Sequence, residues 1–164
     1  MTRINLVYVE DLADQHLFAE WREIKMIPAQ LRRIQKSPNY PNMLDNLPTK
    51  YTLNTGHVRF FYNKMLFLED RYRKLTQELH KREYNIANID SDTIFREGLP
   101  AFAFSRSIWT PNKSEIKINI DRIAERLHQR PEWYRYYGEI KPPEFFINKY
   151  NQQLLVDILV KETL

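Results

Sequence analysis

Apolar residues recur at helical spacing through most of this chain. At about 100° per residue, Ala13, Leu17, Glu20, Ile24 and Ile27 share one side of a helix, with Trp21 at its edge. That side is expected to face a core. Pro28 is expected to kink this helix, with the good helix formers of AQLRRIQK carrying it on to about Lys36. Residues 37–51 hold three prolines and several Asn and Asp residues and read as an irregular connector. The strongest stripe follows Gly56, where Phe61, Met65, Leu68, Tyr72, Leu75 and Leu79 predict a core-facing helix over 57–82, capped by Asn54 or Thr55. Phe60, Lys64, Phe67 and Arg71 form a second row beside that stripe.

Residues 83–113 keep no period and read as a long, partly ordered connection. A third helix opens near Ser114 and runs to about Gln129, with Ile116, Ile120, Ile123 and Leu127 as its apolar face. Pro131 stops it. Pro142 and Pro143 then introduce a closing amphipathic helix carrying Phe146, Tyr150, Leu154, Leu155 and Ile158. The expected fold is all-α: a compact single domain over 1–164, with a three-helix core, long irregular connections and an added C-terminal helix.

Composition narrows the chemistry. A chain of 164 residues can bury one core. The absence of cysteine excludes disulfides, thiolate metal sites and cysteine nucleophiles. Only three glycines leave little material for Gly-rich phosphate loops. No apolar run reaches the roughly 18 residues that span a bilayer. Charges at Arg3, Glu10, Asp11 and Asp14 break up any signal-peptide core, so a soluble cytoplasmic protein with no membrane association is expected. No clustered metal ligands appear, and neither metal nor cofactor is expected. The formal charge of +4 permits a nucleic-acid partner without demanding one.

Several residues carry candidate chemistry. Thr2 is small enough for Met1 to be removed, which would leave an α-amino group with a pKa of roughly 7.7–8.0. Such an amine is substantially unprotonated at neutral pH and is suited to Schiff-base chemistry on a sugar carbon. His16 and Glu23 lie seven residues apart and nearly superimpose on one flank of the first helix; Gln15 and Arg22 do the same one row further round. This stripe is either a site or the solvated face of the helix. Arg122, Arg126 and Arg130 repeat every four residues, a spacing whose repulsion an anionic partner or the nearby Asp121, Glu125 and Glu132 would relieve. Trp133, Tyr134, Tyr136 and Tyr137 surround Arg135. Packing against the first helix accounts for some of them and a base-stacking surface for others. His57, at a helix start, is placed either to meet a phosphate or to serve structure.

Four ordered blocks carry a resemblance. MTRINL at the start, LADQH-L-AE-REI across 12–24, GHVRFFYNK at 56–64 and QRPEWYRYYG at 129–138 resemble the bacteriophage pyrimidine-dimer DNA glycosylase and AP lyase family, phage endonuclease V. The resemblance covers roughly residues 1–139. It implies cleavage of the glycosidic bond of an ultraviolet pyrimidine dimer, followed by strand breakage through β-elimination. By resemblance, the amine nucleophile falls on Thr2 and the catalytic carboxylate on Glu23. DNA contacts fall on Arg3, Gln15, His16, Arg22, Arg122 and Arg126, and on the block Trp133, Tyr134, Arg135, Tyr136 and Tyr137.

The implied partner is double-stranded DNA containing pyrimidine dimers or abasic sites. A monomer is expected, with the C-terminal extension as the element that would dimerise it. This chain has Met26 where the family carries an arginine, and the segment after Gly138 is an extension. Two other readings are a non-catalytic helical DNA-binding module and a lyase acting on other damaged bases or abasic sites.

Overall fold

The computed structural model describes residues 3–104 and 108–163, with side chains described through Val156. The class is all-α: helices dominate, and a single two-stranded hairpin is the one sheet among the described residues. Among these residues no helix is long and apolar enough to cross a membrane. The chain divides into two compact units, Met1–Ile4 with Glu20–Thr110 and Asn5–Ala19 with Pro111–Leu164.

The first unit takes the end of helix α1 (Asp14–Glu23), then α2 (Met26–Ile34). The break between them lies at Ile24–Lys25, ahead of the kink expected at Pro28. A proline ring collides with the carbonyl four residues earlier, which here is Ile24. Restarting the helix at Met26 places Pro28 in a first turn, where its missing N–H costs nothing. The expected face is nonetheless correct: Trp21, Ile24, Ile27 and Leu31 are buried. Residues 37–51, expected to be irregular, contain the short helix α3 (Tyr40–Asp45), whose first turn accommodates Pro41.

The helix expected over 57–82 is two helices, α4 (His57–Phe60) and α5 (Met65–Lys81). The reason lies in three consecutive aromatics: Phe60, Phe61 and Tyr62 are all buried. Neighbours on a helix diverge by about 100°, so one core-facing stripe cannot bury all three. A turn through Phe61–Asn63 does, and Lys64 closes it by donating from Nζ to the Phe60 carbonyl at 2.9 Å. Within α5 the predicted positions Met65, Leu68, Tyr72, Leu75 and Leu79 are buried as expected. Gly56 leads into α4 at φ +90°, where an added Cβ would meet Pro48 Cγ at 3.2 Å. Because Gly56 itself is the N-cap, the expected side-chain cap from Asn54 or Thr55 is not used.

The stretch expected to be a long, partly ordered connection holds α6 (Ser91–Phe95) and a short 3-10 turn at Ala101–Ala103. Asp90 caps α6 by accepting the Asp92 N–H. At the other end Arg32 donates to the carbonyls of Thr93, Ile94 and Glu97, supplying donors that the exposed end of so short a helix lacks.

Glu20 sits on the apolar side of α1 yet is 2% exposed. Its carboxylate is gripped by two nitrogens of Arg71 from α5, with Nη2 at 3.1 Å from Oε1. Burying either charge alone would be expensive; together they are tolerated.

The second unit holds a 3-10 turn at Val9–Asp11, the start of α1, helix α7 (Lys113–Gln129) and helix α8 (Pro143–Thr163). Asn112 and Glu115 form a capping box that sets the start of α7. Ile116, Ile120, Ile123 and Leu127 are buried as their spacing predicts, and Asn119 is buried among them. Between α7 and α8, strands β1 (Arg135–Tyr136) and β2 (Glu139–Ile140) pair antiparallel, Arg135 opposite Ile140. On α8, Phe146 and Tyr150 are buried whereas Leu155 is exposed; the Ile158 side chain lies outside the described residues.

Arg71→Met should destabilise the fold by about 3–5 kcal/mol, because it strands the buried Glu20 carboxylate. Adding Glu20→Leu should recover most of that loss. Urea unfolding of the single and double variants reads both values, and a single variant within experimental error of the parent would show that the pair is not buried as described.

Candidate active site

The segment Arg3–Tyr8 is not part of any helix or strand, yet Ile4, Asn5, Leu6 and Val7 are buried. A buried backbone without a ladder needs acceptors and donors from side chains. In the first unit, the Arg3 N–H donates to Glu23 Oε2 at 3.1 Å. The Ile4 N–H donates to His57 Nε2 at 2.8 Å, and the Ile4 carbonyl accepts from the Tyr51 hydroxyl at 3.1 Å. In the second unit, Asn119 Oδ1 accepts from Leu6 and Val7 at 2.7 and 3.3 Å. Gln153 of α8 accepts from the Tyr8 N–H at 2.8 Å and donates to the Leu6 carbonyl at 3.4 Å.

The hydrogen bonds assign the His57 tautomer. Nε2 accepts from Ile4, so the proton is on Nδ1, which donates to the Thr52 carbonyl at 2.8 Å. Burial pushes the imidazole pKa below its ordinary value, the Thr52 carbonyl opposes that, and the nearby Arg3 charge lowers it further. The neutral ring is therefore the native form. Tyr51 and Phe61 meet it edge-on, with centroids at 5.5 and 5.3 Å.

Of the residues predicted from sequence, Thr2 lies outside the described residues. Glu23, at the last position of α1, is half-buried and accepts from the residue that follows Thr2 in the chain. Arg3 is half-buried and Arg22 is exposed. Met26 is 49% exposed at the first position of α2. Lys25 does not stand in for a cation there: its Nζ lies 3.6 Å from the Trp21 ring centroid, a cation–π contact. Burial and the neighbouring Arg22 charge both lower the Lys25 pKa.

In the second unit, Gln15 and His16 are brought together with the aromatic block. The Gln15 side chain donates to the Trp133 carbonyl at 2.8 Å and accepts from the Arg135 N–H at 3.0 Å. The His16 and Tyr134 rings lie 4.6 Å apart, and Tyr134 is buried. Tyr136 donates to the Glu10 carbonyl at 3.0 Å and packs on Phe145. Trp133, Arg135 and Tyr137 are the exposed members of the block. Arg130 stacks over Trp133 at 4.7 Å, and together with Pro131 and Glu132 these residues line an open cleft of about 430 Å³. Arg122 is within 3.6 Å of Glu125, one of the acidic neighbours weighed against a DNA role, and Arg126 is exposed.

Tyr137 is held at φ 51°, a left-handed conformation that costs a non-glycine residue roughly 1–2 kcal/mol. Asp14, at the start of α1, offsets this by accepting from the N–H groups of Tyr137 and Gly138 at 3.2 and 2.8 Å. Among the described residues no three His, Asp or Glu side chains converge to hold a metal ion.

A family model described as pyrimidine dimer DNA glycosylase matches residues 1–92 of the 164. The chain belongs to that family. Membership makes it a DNA-repair glycosylase whose substrate is DNA. The matched span contains Arg3, Gln15, His16, Arg22, Glu23, Tyr51 and His57. It stops short of Arg122, Arg126 and the block Trp133–Tyr137.

Sequence reading weighed a structural role for His57, and it missed Tyr51, Asn119 and Gln153, which also hold the N-terminal segment of this glycosylase. His57 serves structure and is not set out toward a phosphate, for it is 2% exposed and bonded to backbone on both ring nitrogens. A histidine followed closely by Phe60 and Phe61 was the available signal. Asn119 carried a clearer one, a polar residue inside the stripe Ile116, Ile120, Ile123. Tyr51, Asp14 and Gln153 carried none.

Acid should weaken the fold through His57. Above its unfolded pKa of about 6.5 both states are neutral; below it the unfolded chain binds a proton that the native ring resists. The stability His57 contributes is thus present above that pH and lost as pH falls through the lowered native value. Denaturant titrations of the wild type and His57→Gln across this range should show the wild-type advantage shrinking with acidification, and a constant gap would refute a neutral native imidazole.

Proposed function

We propose that this glycosylase also acts as an AP lyase, working through an imine formed by the α-amine of Thr2 after removal of Met1. The amine attacks C1′ of a damaged nucleotide, the glycosidic bond breaks and the base departs with the electron pair. Ring opening gives an imine at C1′. Loss of the C2′ proton then drives out the 3′ phosphate, which breaks the strand. Glu23 stabilises the positive charge that develops at C1′ and passes protons between the reacting groups. A nucleotide must leave the stack for the sugar to be reached, since stacking hides C1′.

The observation that carries this reading is the hydrogen bond from the Arg3 N–H to Glu23 at 3.1 Å. It ties the only carboxylate assigned a chemical role to the residue adjacent to the amine. Arg3, Arg22, Arg122 and Arg126 supply positive charge for phosphates, and the exposed faces of Trp133 and Tyr137 suit contact with bases. Gln15 and His16 act by holding the aromatic block, within which Tyr134, Arg135 and Tyr136 are fixed.

Borohydride added during reaction with a dimer-containing or abasic duplex should reduce the imine to a stable amine, with the adduct on Thr2 of a chain lacking Met1. Glu23→Gln should lower strand cleavage by about 10²- to 10³-fold, as loss of one electrostatic stabiliser does, with duplex affinity little changed. An adduct on Lys25 would move the nucleophile, and no adduct on any damaged duplex despite normal binding would leave a glycosylase that works without an imine.

Met26→Arg should tighten lesion binding, because position 26 is exposed and Lys25 is directed onto Trp21. One added phosphate contact should also steepen the salt dependence of log K by roughly 0.9. Equal affinity and slope in parent and variant would show that position 26 does not reach the DNA.

A further inference from the structure

We propose that His57 is a positioning residue for the N-terminal amine, with Tyr51 as its partner: together they fix both peptide groups of Ile4 and so set where the first residues reach relative to Glu23. The proposal rests on the Thr2 amine being the nucleophile. Its basis is that Ile4 is held at two points by one small cluster. The N–H goes to His57 Nε2 at 2.8 Å and the carbonyl to the Tyr51 hydroxyl at 3.1 Å. Two opposed bonds on one residue leave the segment no freedom to rotate about its own axis. The next amide toward the terminus, that of Arg3, is the one bonded to Glu23.

The ring itself is immobilised. Thr52 accepts from Nδ1 at 2.8 Å, Tyr51 and Phe61 wedge it edge-on, and Gly56 at φ +90° delivers it into this corner. Phenylalanine would serve the packing of this cluster equally well, since its other rings are Tyr51, Phe60, Phe61, Phe67 and Trp109. What an imidazole adds there is an acceptor for Ile4 and a donor for Thr52. Burying a polar ring is unfavourable unless both nitrogens are bonded, and one of those bonds goes to the segment that carries the amine.

Imine formation needs the amine in a near-attack geometry, and a misplacement of about 1 Å can cost about 10²-fold in rate. Single-turnover borohydride trapping of the full-length protein on an abasic duplex, at saturating protein, reads that geometry apart from affinity. His57→Phe keeps ring and volume but accepts no hydrogen bond; it should slow trapping by about 10- to 100-fold while leaving duplex affinity unchanged. His57→Gln restores an acceptor and should recover most of the rate, a rescue that a purely space-filling role does not predict. Tyr51→Phe deletes only the hydroxyl and should slow trapping several-fold; it decides the matter should His57→Phe fail to fold. Adducts on Thr2 at the wild-type rate in Tyr51→Phe and in whichever His57 variants fold would overturn the positioning role and leave the amine reading intact. A wild-type adduct on any other residue would overturn both.

Discussion

An extended buried segment with no strand beside it is the constraint on which this protein turns. Within Arg3–Tyr8, residues Ile4, Asn5, Leu6 and Val7 are buried, where each unmet N–H costs about 1–3 kcal/mol. The chain meets that demand with side chains drawn from distant points: Glu23, Tyr51 and His57 for Arg3 and Ile4, then Asn119 and Gln153 for Leu6, Val7 and Tyr8. The same bonds tie the segment to α1 and α4 in the first unit and to α7 and α8 in the second. Gln153 lies on the C-terminal helix, which gives the extension a structural role in the second unit.

The aromatic turn of residues 60–62 serves the same end. Had the chain continued as one helix from His57 to Lys81, a single stripe would have faced the core. Breaking at Phe61–Lys64 lets three adjacent aromatics go inside and leaves α4 only long enough to present His57. The edge-to-face contacts around Trp109, at 4.8 to 5.9 Å, add about 0.5–1.5 kcal/mol each beyond their area and keep that corner rigid.

The aromatic block after α7 is organised from the other direction, by α1. Gln15 and Asp14 together bond to the backbone of Trp133, Arg135, Tyr137 and Gly138. Polar residues that look like a solvated helix face are therefore spent on a loop, and Asp14 makes the left-handed Tyr137 tolerable. Tyr134 and Tyr136 turn inward, while Trp133 and Tyr137 keep open faces. Exposed and inward-packed side chains coexist in five consecutive residues.

What the sequence determined by itself was the class and the long elements. Periods of three and four residues place the stripes of α1, α5 and α7 correctly, because side-chain direction on a helix is a local property. The capping box of α7 is equally local. The blocks at 1–6, 12–24 and 56–64 were enough to point to the family, and all three lie within the span that the family model matches. Tertiary structure decided the rest. Pro28 shows only that a helix is disturbed, and the break at Ile24 follows from where the ring meets a carbonyl. Three adjacent aromatics do not reveal that all are buried until a core exists to receive them. The short helices α3 and α6 have too few residues for a period, and α6 depends on Arg32 from elsewhere in the chain. The roles of Tyr51, His57, Asn119 and Gln153 are set by partners separated from them by 47 to 147 positions. Such pairings are fixed by burial and hydrogen-bond satisfaction in three dimensions, which no local spacing encodes.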